Sequence, residues 1–407
     1  MVNGPTRRRF LTATGTTVAA TGLLGTASGA GPGDRKGKET NGSKPTPVRY
    51  AAFNVMELET EQVQEPGDDQ AQAAARIVQE VRPDVLVVNE LTNNVQEGEY
   101  ADRTNIEAFV ENYLSVPQRD DLEGIEYPHT VQPESNTGVL PEEDFDFNKD
   151  GQAGQRPGDA FGFGEYPGHY AFAIASRYPI REDDVRSFRK FRWTDMPDNL
   201  LLTEDEAGED AELYLTPEEQ EVYRLSSKTH IDVPFDVDGD VVHGLFAHPT
   251  PPTFDGPENF NGRWNHDEVR FFADYVAGAD YIYDDDGTAG GLDDDASYVL
   301  MGDMNADPNG DRPLDPATKF LFDNEDFETR RLPTSPGGAQ RGNPSATRFG
   351  GDFEGVVEGI DYVLPSPDLS LRGSSVVWPS DDANKRGLAD DVETASDHRL
   401  VWADIAV

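Results

Sequence analysis

Short apolar runs separated by long polar stretches are the feature that most restricts how this chain can fold. They are apolar at consecutive positions rather than only at alternate ones, which is typical of strands buried on both faces. Most are bounded by Pro, Gly or Asp, as expected where strands end. The runs that we predict to be strands are Val48–Val55, Val85–Val88, Ala171–Ala175, Val241–Ala247, Tyr298–Met301, Ile360–Leu364 and Leu400–Ile405.

Two other stretches have helical spacing. Ala and Ile or Val recur in this way over Asp68–Val81, which Pro83 follows, and a second amphipathic stretch covers Asp267–Val276. Buried strands together with such helices predict an α/β fold in which two packed β-sheets are flanked by helices. Loops as long as the remaining polar segments are uncommon unless they are functional or ordered by an ion. The predicted insertions between strands are 132–168, 190–225 and 284–295.

The composition excludes several classes of protein. The 407 residues include 34 Lys+Arg and 78 Asp+Glu, which gives a formal net charge of −44, and they include no cysteine. Disulfide frameworks, thiolate nucleophiles and cysteine-ligated metal sites are therefore excluded. The sequence also lacks an unbroken apolar run of about 18 residues, the signature of a membrane span. Because only 8 of the 34 basic residues are Lys, we interpret the acidity as adaptation to high salt; an ordinary acidic protein is the alternative.

The N-terminus has the pattern of an export signal. Arg7, Arg8 and Arg9 precede an uncharged run of small and apolar residues from Thr12 to Gly33. This pattern resembles a twin-arginine signal over residues 1–33, followed by a polar linker over 34–47 and one domain over 48–407. It predicts an extracellular or cell-surface location. A basic N-terminus that arose by chance is the alternative.

Polar side chains stand at one end of nearly every predicted strand. Each of them alone is most simply a turn residue, because Asp and Asn favour turns. Six strands that each end in a carboxylate, amide or imidazole, however, are the layout expected when one edge of a sandwich carries a metal-assisted hydrolytic site. These residues are Asn54, Glu90, His248, Asp303, Asn305, Asp361, Asp397 and His398.

Segments around these residues resemble those of the endonuclease/exonuclease/phosphatase superfamily, whose fold is a four-layered α/β sandwich. The matching segments occur in the same order as in the family and together span residues 48–407. The Gly302–Asn305 and Ser396–His398 elements are the most specific. Three departures from the family's usual pattern leave the substrate contacts open: Asn89 in place of Gln, Gly359 in place of Arg, and the form of the strand before Ser176. The matching segments are Arg49–Val55, Pro83–Glu90, Ala175–Ile180, Gly302–Asn305, Ile360–Leu364 and Ser396–Leu400.

The resemblance implies a metal site for Mg²⁺ or Mn²⁺. Glu90 matches the principal metal ligand, with Asn54 beside it and Asp397 available to the same ion or to a second one. Hard divalent cations prefer such oxygen ligands and keep several waters, which leaves room for a phosphate oxygen.

The resemblance also implies catalytic roles. Asp361 matches the residue that orients His398, and His398 matches the histidine that contacts the scissile phosphate or acts as a base. Asp303 and Asn305 match the pair that positions the attacking water. His248 matches a second histidine, which is a phosphate contact or a general acid. The implied reaction is in-line attack of water on a phosphoester.

Two further motifs leave alternatives open. Arg263 and His266 lie in a motif that follows His248, where they are either substrate contacts or part of a surface loop that leads into a helix. Asp146, Asn148 and Asp150, followed by Gly151, have the spacing of a calcium loop, but the twelfth position is Pro157 rather than an acidic residue. Chance spacing in so acidic a chain is the alternative reading of that loop.

These observations predict an exported, metal-dependent phosphoester hydrolase, either a nuclease or a phosphatase or phosphodiesterase. Its substrate is a nucleic acid or a smaller phosphoester, and neither a membrane span nor an obligate protein partner is expected. The alternative is a catalytically silent cell-surface or ion-binding module with the same fold. A lack of Lys/Arg clusters argues weakly against a dedicated DNase, but high salt would screen the repulsion between the chain and DNA.

Overall fold

The structure, a computed structural model, describes residues 47–208, 210–350, 353–383 and 385–407. The predicted export signal and all but the last residue of the linker lie outside the described residues. Within them, none of the helices combines the length and apolar character needed to cross a bilayer.

The described part of the chain contains two large β-sheets and two short hairpins. The strands are β1 (Val48–Leu58), β2 (Val85–Leu91), β3 (Val95–Gln96), β4 (Glu99–Tyr100), β5 (His129–Val131), β6 (Phe172–Ser176), β7 (Arg186–Ser187), β8 (His230–Val237), β9 (Asp240–Ala247), β10 (Ser297–Asp303), β11 (Arg348–Gly350), β12 (Phe353–Glu358), β13 (Asp361–Pro365), β14 (Ser370–Val376) and β15 (Val401–Ala406). The α-helices are α1 (Thr60–Gln64), α2 (Asp69–Val81), α3 (Asn105–Phe109), α4 (Pro217–Gln220), α5 (Phe260–Val276), α6 (Pro336–Gln340) and α7 (Leu388–Ala395). Short π- or 3₁₀-helical turns occupy Val110–Leu114, Glu182–Asp184, Trp193–Asp195, Ala317–Phe322 and Lys385–Gly387.

The first sheet has the strand order β14-β15-β1-β2-β6-β5. Its central strands β1 and β2 are parallel, because α1 and α2 return the chain to the same end of the sheet. Asp68 begins α2 by accepting a hydrogen bond from the Ala71 amide at 2.9 Å. The helix ends at Arg82, which is left-handed with φ 54°, and Pro83 follows. Local sequence signals therefore determine both ends of this helix.

The second sheet has the order β13-β10-β9-β8-β7, and α5 connects its parallel strands β9 and β10. Strands β1 and β2 of the first sheet contact β10 of the second, so the two sheets pack face to face. Helices α2 and α7 pack against each other in the layer on the first sheet. Helix α5 packs on the other side of the second sheet through an aromatic cluster that includes Phe271 and Tyr275. The fold is therefore the predicted α/β sandwich of four layers.

Each of the seven predicted strands is confirmed to within a few residues, but two assignments need correction. Helix α5 begins at Phe260 rather than Asp267, because Asp255 accepts hydrogen bonds from the Asn261 and Gly262 amides ahead of the amphipathic stretch. Strand β8 is absent from the prediction because Pro234 and polar residues interrupt its apolar pattern. Strand β7 pairs only with Ile231 and Asp232 of β8. Pro234 therefore lies beyond the part of β8 that is hydrogen-bonded to β7, and its missing N–H breaks no bond between these two strands.

Candidate active site

Strand ends from both sheets meet in one buried polar cluster. Asn54 in β1 and Glu90 in β2 come from the first sheet, while Asp303 ends β10 of the second. The Asn54 amide nitrogen donates to Glu90 Oε1 at 2.9 Å and to Asp303 Oδ2 at 3.0 Å. One amide thus bridges carboxylates from the two sheets, and it holds their oxygens close together.

The backbone is strained where it presents these side chains. Glu90 has φ 62° and Asn305 has φ 49°, both in the left-handed region that costs a non-glycine residue free energy. Met56 and Glu57, with φ 50° and 53°, form a bulge in β1, from which the Glu57 amide donates to Glu90 Oε2 at 3.1 Å. Such strain persists only where the surrounding structure holds it in place.

Gly302 shows how tightly the second sheet closes behind the cluster. Its φ is 137°, and a Cβ at this position would come within 2.1 Å of the Ala247 carbonyl oxygen. Any larger residue would force β10 away from β9. Glycine is therefore required at position 302, where β10 packs against Ala247, the residue that precedes His248.

His398 forms a buried ion pair with Asp361. The two lie 2.9 Å apart, from Nδ1 to Oδ2, and His398 Nε2 lies 3.8 Å from Asp303 Oδ2. Burial alone would lower the pKa of His398, but the charges of Asp361 and Asp303 outweigh it and raise the pKa to about 10. Burial, together with the charge of Asp361, raises the pKa of Asp303 to about 7. His398 is therefore positively charged at neutral pH.

His248 approaches the same carboxylates from β9. Its Nε2 lies 3.6 Å from Asp303 Oδ2 and 3.9 Å from Glu90 Oε1. Burial lowers the pKa of His248 well below its usual value, and the positive charges of Lys228 and His398 lower it further. The two histidines of the cluster thus have opposite charge states, one cationic and one neutral.

Asn305 and Asp397 complete the cluster. The Asn305 amide N–H donates to Asp303 Oδ1 at 2.9 Å, and its side-chain nitrogen donates to the Pro249 carbonyl at 3.1 Å. Asp397 Oδ1 lies 3.9 Å from His398 Nε2, while its other oxygen accepts from Arg348 Nε at 3.5 Å. The structure therefore brings together all eight strand-end residues that the sequence singles out.

The donor atoms of this cluster suit a divalent cation. Glu90, His248 and Asp303 offer ligand atoms that all lie within 4.8 Å of one another. Asp303, Asp361 and His398 are grouped as closely, but the protonated ring of His398 has no lone pair for a cation, so this group offers only its carboxylates. Carboxylate oxygens dominate both groups, as Mg²⁺ and Mn²⁺ prefer. Asn54, in contrast, turns its nitrogen to the carboxylates, and its oxygen accepts from the Met56 amide at 2.9 Å. Its oxygen does not face the carboxylates, so the ligand role of Asn54 stays a prediction.

The sequence profile of the Endonuclease/Exonuclease/phosphatase family matches residues 51–398, which include every member of the cluster. The chain belongs to this family. Its members are hydrolases that act on phosphoesters, and this chain therefore falls in the same broad class. A search of curated protein sequences found no match.

Solved structures of other family proteins are similar to this one over most of its length. The endonuclease/exonuclease/phosphatase from Beutenbergia cavernae is 17% identical with a TM-score of 0.47, over 89% of this chain and 72% of that one. Sphingomyelinase C from Streptomyces griseocarneus is 13% identical with a TM-score of 0.43, over 88% of this chain and 99% of that one. An AP endonuclease from Archaeoglobus fulgidus is 14% identical with a TM-score of 0.38, over 88% and 100%.

Arg263 and His266 of this endonuclease/exonuclease/phosphatase family protein make their contacts away from the cluster. Arg263 donates to the carbonyls of Glu258 and Leu200, at 3.0 and 3.4 Å. His266 Nδ1 lies 2.8 Å from Asp267 Oδ1, and its ring packs edge-on against Phe320. Both side chains pack in the outer layer around α5. These hydrogen bonds give no support to the predicted role in substrate binding, which stays a prediction.

The candidate calcium loop forms a compact turn. Asp146 Oδ2 accepts from the Gly151 amide at 2.9 Å, and the Asn148 side chain donates to Asp150 Oδ2 at 3.2 Å. Lys149 Nζ donates to the Asp146 carbonyl at 2.9 Å and to Glu219. In the described ranges, Asp146 and Asp150 are not part of a group of three carboxylate or histidine ligand atoms within 4.8 Å. Calcium binding at this loop stays a prediction.

Lys228 and Glu268 are buried charges near the cluster that the sequence did not reveal. Lys228 lies just before β8 and Glu268 lies on α5, and they are 6% and 1% exposed. The signal for Lys228 is its type: it is one of only eight lysines in a strongly acidic chain. The scarcity of lysine does not by itself place Lys228 near the cluster. That placement depends on β8, which brings Lys228 beside β9.

Proposed function

We propose that this protein is a metal-dependent phosphoester hydrolase that catalyses in-line attack of water on a phosphoester. The observation that carries the proposal is the position of Asp303. Its carboxylate lies between cationic His398 and neutral His248 and accepts from Asn54, which also holds Glu90. Carboxylates, an amide and two histidines in one buried site are the groups needed to bind a cation and a phosphate together.

The geometry suggests a role for each group in the reaction. Asp303 would accept the proton of the attacking water, because its carboxylate lies between the two histidines at the centre of the cluster. His398 has its Nδ1 bonded to Asp361, so the N–H at Nε2 would donate to a phosphoryl oxygen. His248 and the Asn305 amide would contact the remaining oxygens. When bound by Glu90 and its neighbours, Mg²⁺ or Mn²⁺ would supply positive charge for the phosphoryl oxygens.

Charge bears on the size of the substrate. A chain with a net charge of −44 repels a polyanion such as DNA in dilute buffer. The screening length falls to about 3 Å near 1 M salt, where that repulsion is lost beyond contact range. A small phosphodiester should therefore be hydrolysed over a wider range of salt concentration than plasmid DNA.

Glu90→Gln tests the proposed site directly. We expect Mg²⁺- or Mn²⁺-dependent kcat/KM on bis-p-nitrophenyl phosphate to fall by about 100-fold or more, because the variant loses a charged ligand. Folding should be retained, since the substitution removes one of several mutually repelling carboxylates. The assay measures product release from this ester and from plasmid DNA at about 2 M salt, chosen to screen surface repulsion.

Glu97→Gln is the matched control, because Glu97 is also a left-handed glutamate, with φ 52°, but lies exposed in the turn between β3 and β4. It should retain wild-type activity. Activity that survives excess EDTA would contradict metal dependence. Wild-type protein without turnover on a panel of phosphoesters, indistinguishable from His398→Ala, would instead favour the silent module.

A further inference from the structure

Lys228 is a buried ammonium group that the proposed reaction does not yet use. It is 6% exposed, although lysine is among the residues least often buried without an ionic partner. Burial lowers its pKa below the usual value for lysine, and the charges of Glu268, Glu90 and Asp303 offset this only in part. Two of these three carboxylates belong to the active-site cluster, so the ammonium is within electrostatic range of the site.

The hydrogen bond of Lys228 places it next to Asn305. Its Nζ donates to the Pro249 carbonyl at 3.3 Å, and the Asn305 side chain donates to the same carbonyl at 3.1 Å. Pro249 directly follows His248 in the chain. The ammonium therefore lies beside Asn305 and at the base of the loop that carries His248.

Glu268 is not an ion-pair partner of Lys228 at contact distance. Its Oε1 accepts from the Ser227 amide at 2.7 Å and from the Ser227 hydroxyl at 2.9 Å, while its Oε2 accepts from the Thr250 amide at 2.6 Å. Across the described ranges, the Pro249 carbonyl is the one hydrogen-bond acceptor of Lys228 Nζ, and no ion pair joins this ammonium to a carboxylate. An ammonium group has three protons, so two of them remain available.

We propose that Lys228 is a further catalytic residue, which donates to a non-bridging oxygen of the scissile phosphate beside Asn305. This inference rests on the proposed function. A phosphoryl oxygen supplies the negative partner that a buried ammonium requires. Lys228 thereby adds a fixed positive charge where negative charge develops in the transition state.

Lys228→Met and Lys228→Arg test this contact, with Lys190→Met as the matched control because Lys190 is exposed. We expect Lys228→Met to lower kcat/KM on bis-p-nitrophenyl phosphate by about 100-fold, as for the loss of one charge-stabilising donor. Lys228→Arg should recover part of this loss, and Lys190→Met should match the wild type.

Phosphate binding provides a readout that does not need turnover. With Mg²⁺ present, inorganic phosphate should raise the unfolding temperature of the wild type and of Lys190→Met, but not of Lys228→Met. Mg²⁺ affinity, measured by calorimetry, should be unchanged or higher in Lys228→Met, since a nearby positive charge is removed. Without phosphate, Lys228→Met should unfold no earlier than the wild type, because a buried charge without a contact partner is replaced by an apolar side chain.

Two results would overturn the assignment. One is wild-type kcat/KM and wild-type phosphate stabilisation in Lys228→Met. The other is a Lys228→Met chain that misfolds, unfolds earlier or binds Mg²⁺ more weakly, because Lys228 would then serve only to hold Pro249 in place. Absence of turnover in the wild type would reject the proposed function instead, and a phosphate stabilisation that requires Lys228 would still support the contact.

Discussion

His230 is a buried histidine outside the proposed active site, and two aromatic rings pack against it. Its ring packs against Phe271 and Phe272 and is 1% exposed. Nδ1 hydrogen-bonds the Ser226 hydroxyl, and Nε2 lies 2.9 Å from the Glu268 carbonyl. Burial lowers the pKa of His230 to about 4, so the ring is neutral in the folded protein at pH 7.

This shift predicts how stability depends on pH. Between pH 6.5 and 4 the unfolded chain binds a proton at His230 and the folded chain does not, so the free energy of unfolding falls as pH falls through this range. A depression of this size corresponds to roughly 3 kcal/mol. His230→Gln should unfold more easily at pH 7.5 but lose less stability on acidification, as measured by urea denaturation at a series of pH values.

His129→Gln serves as the control for this measurement, because His129 is only partly buried in the short edge strand β5. Burial lowers the pKa of His129 less than that of His230, so the pH profile of His129→Gln should depart from the wild-type profile less than that of His230→Gln does. A His230→Gln profile parallel to the wild-type profile from pH 7.5 to 4.5 would show that the histidine ionises normally in the folded chain.

At the scale of elements, α5 is held to the insertion 190–225 through one carboxylate. Asp267 is fully buried, and its Oδ2 accepts from Trp193 Nε1 and from the Leu200 amide, both at 2.6 Å. Its other oxygen accepts from His266. A segment that the sequence predicts only as a polar insertion is thus attached to the helix that covers the second sheet.

Asp267→Ala should lower the free energy of unfolding by about 3 kcal/mol, because it leaves buried donors from Trp193 and Leu200 without an acceptor. Limited proteolysis should then cleave within 190–225 sooner than in the wild type. The comparison is Asp274→Ala on the same helix, a partly exposed residue that binds Arg270 and Tyr281. Equal losses in the two variants would mean that Asp267 does not anchor the insertion.

At the scale of the whole molecule, the net charge of −44 opposes the compact state through self-repulsion. Added salt shortens the screening length from about 10 Å at 0.1 M to about 3 Å at 1 M. We expect the unfolding temperature to rise by roughly 4 °C between about 0.1 and 2 M KCl, which corresponds to about 3 kcal/mol for a domain of this size. Calorimetry over a KCl series measures this rise.

The same series at pH 5 is the control for the charge effect. A larger fraction of carboxylates is protonated there than at pH 8, so the salt-dependent rise should be smaller. An unfolding temperature that is flat or falls with KCl at pH 8 would refute the salt-adapted interpretation of the composition.

The sequence by itself determined the secondary structure around the site, because those signals are local. Runs that are apolar at consecutive positions predict the strands, and Asp68 and Pro83 mark the ends of α2. The strand-end positions of Glu90 and Asp303 follow from the same pattern. Where a non-local feature interrupts the pattern, as Pro234 does in β8, prediction fails, because the tolerance of that proline depends on the neighbouring strand.

Only the tertiary structure decided which polar groups meet and how they are charged. Asn54 and Asp303 are 249 positions apart, and the packing of two sheets brings them within a hydrogen bond. The same packing makes His398 cationic and His248 neutral, and it buries Lys228 beside Asn305. A pKa depends on burial and on charges close in space, which residue type and spacing along the chain do not specify.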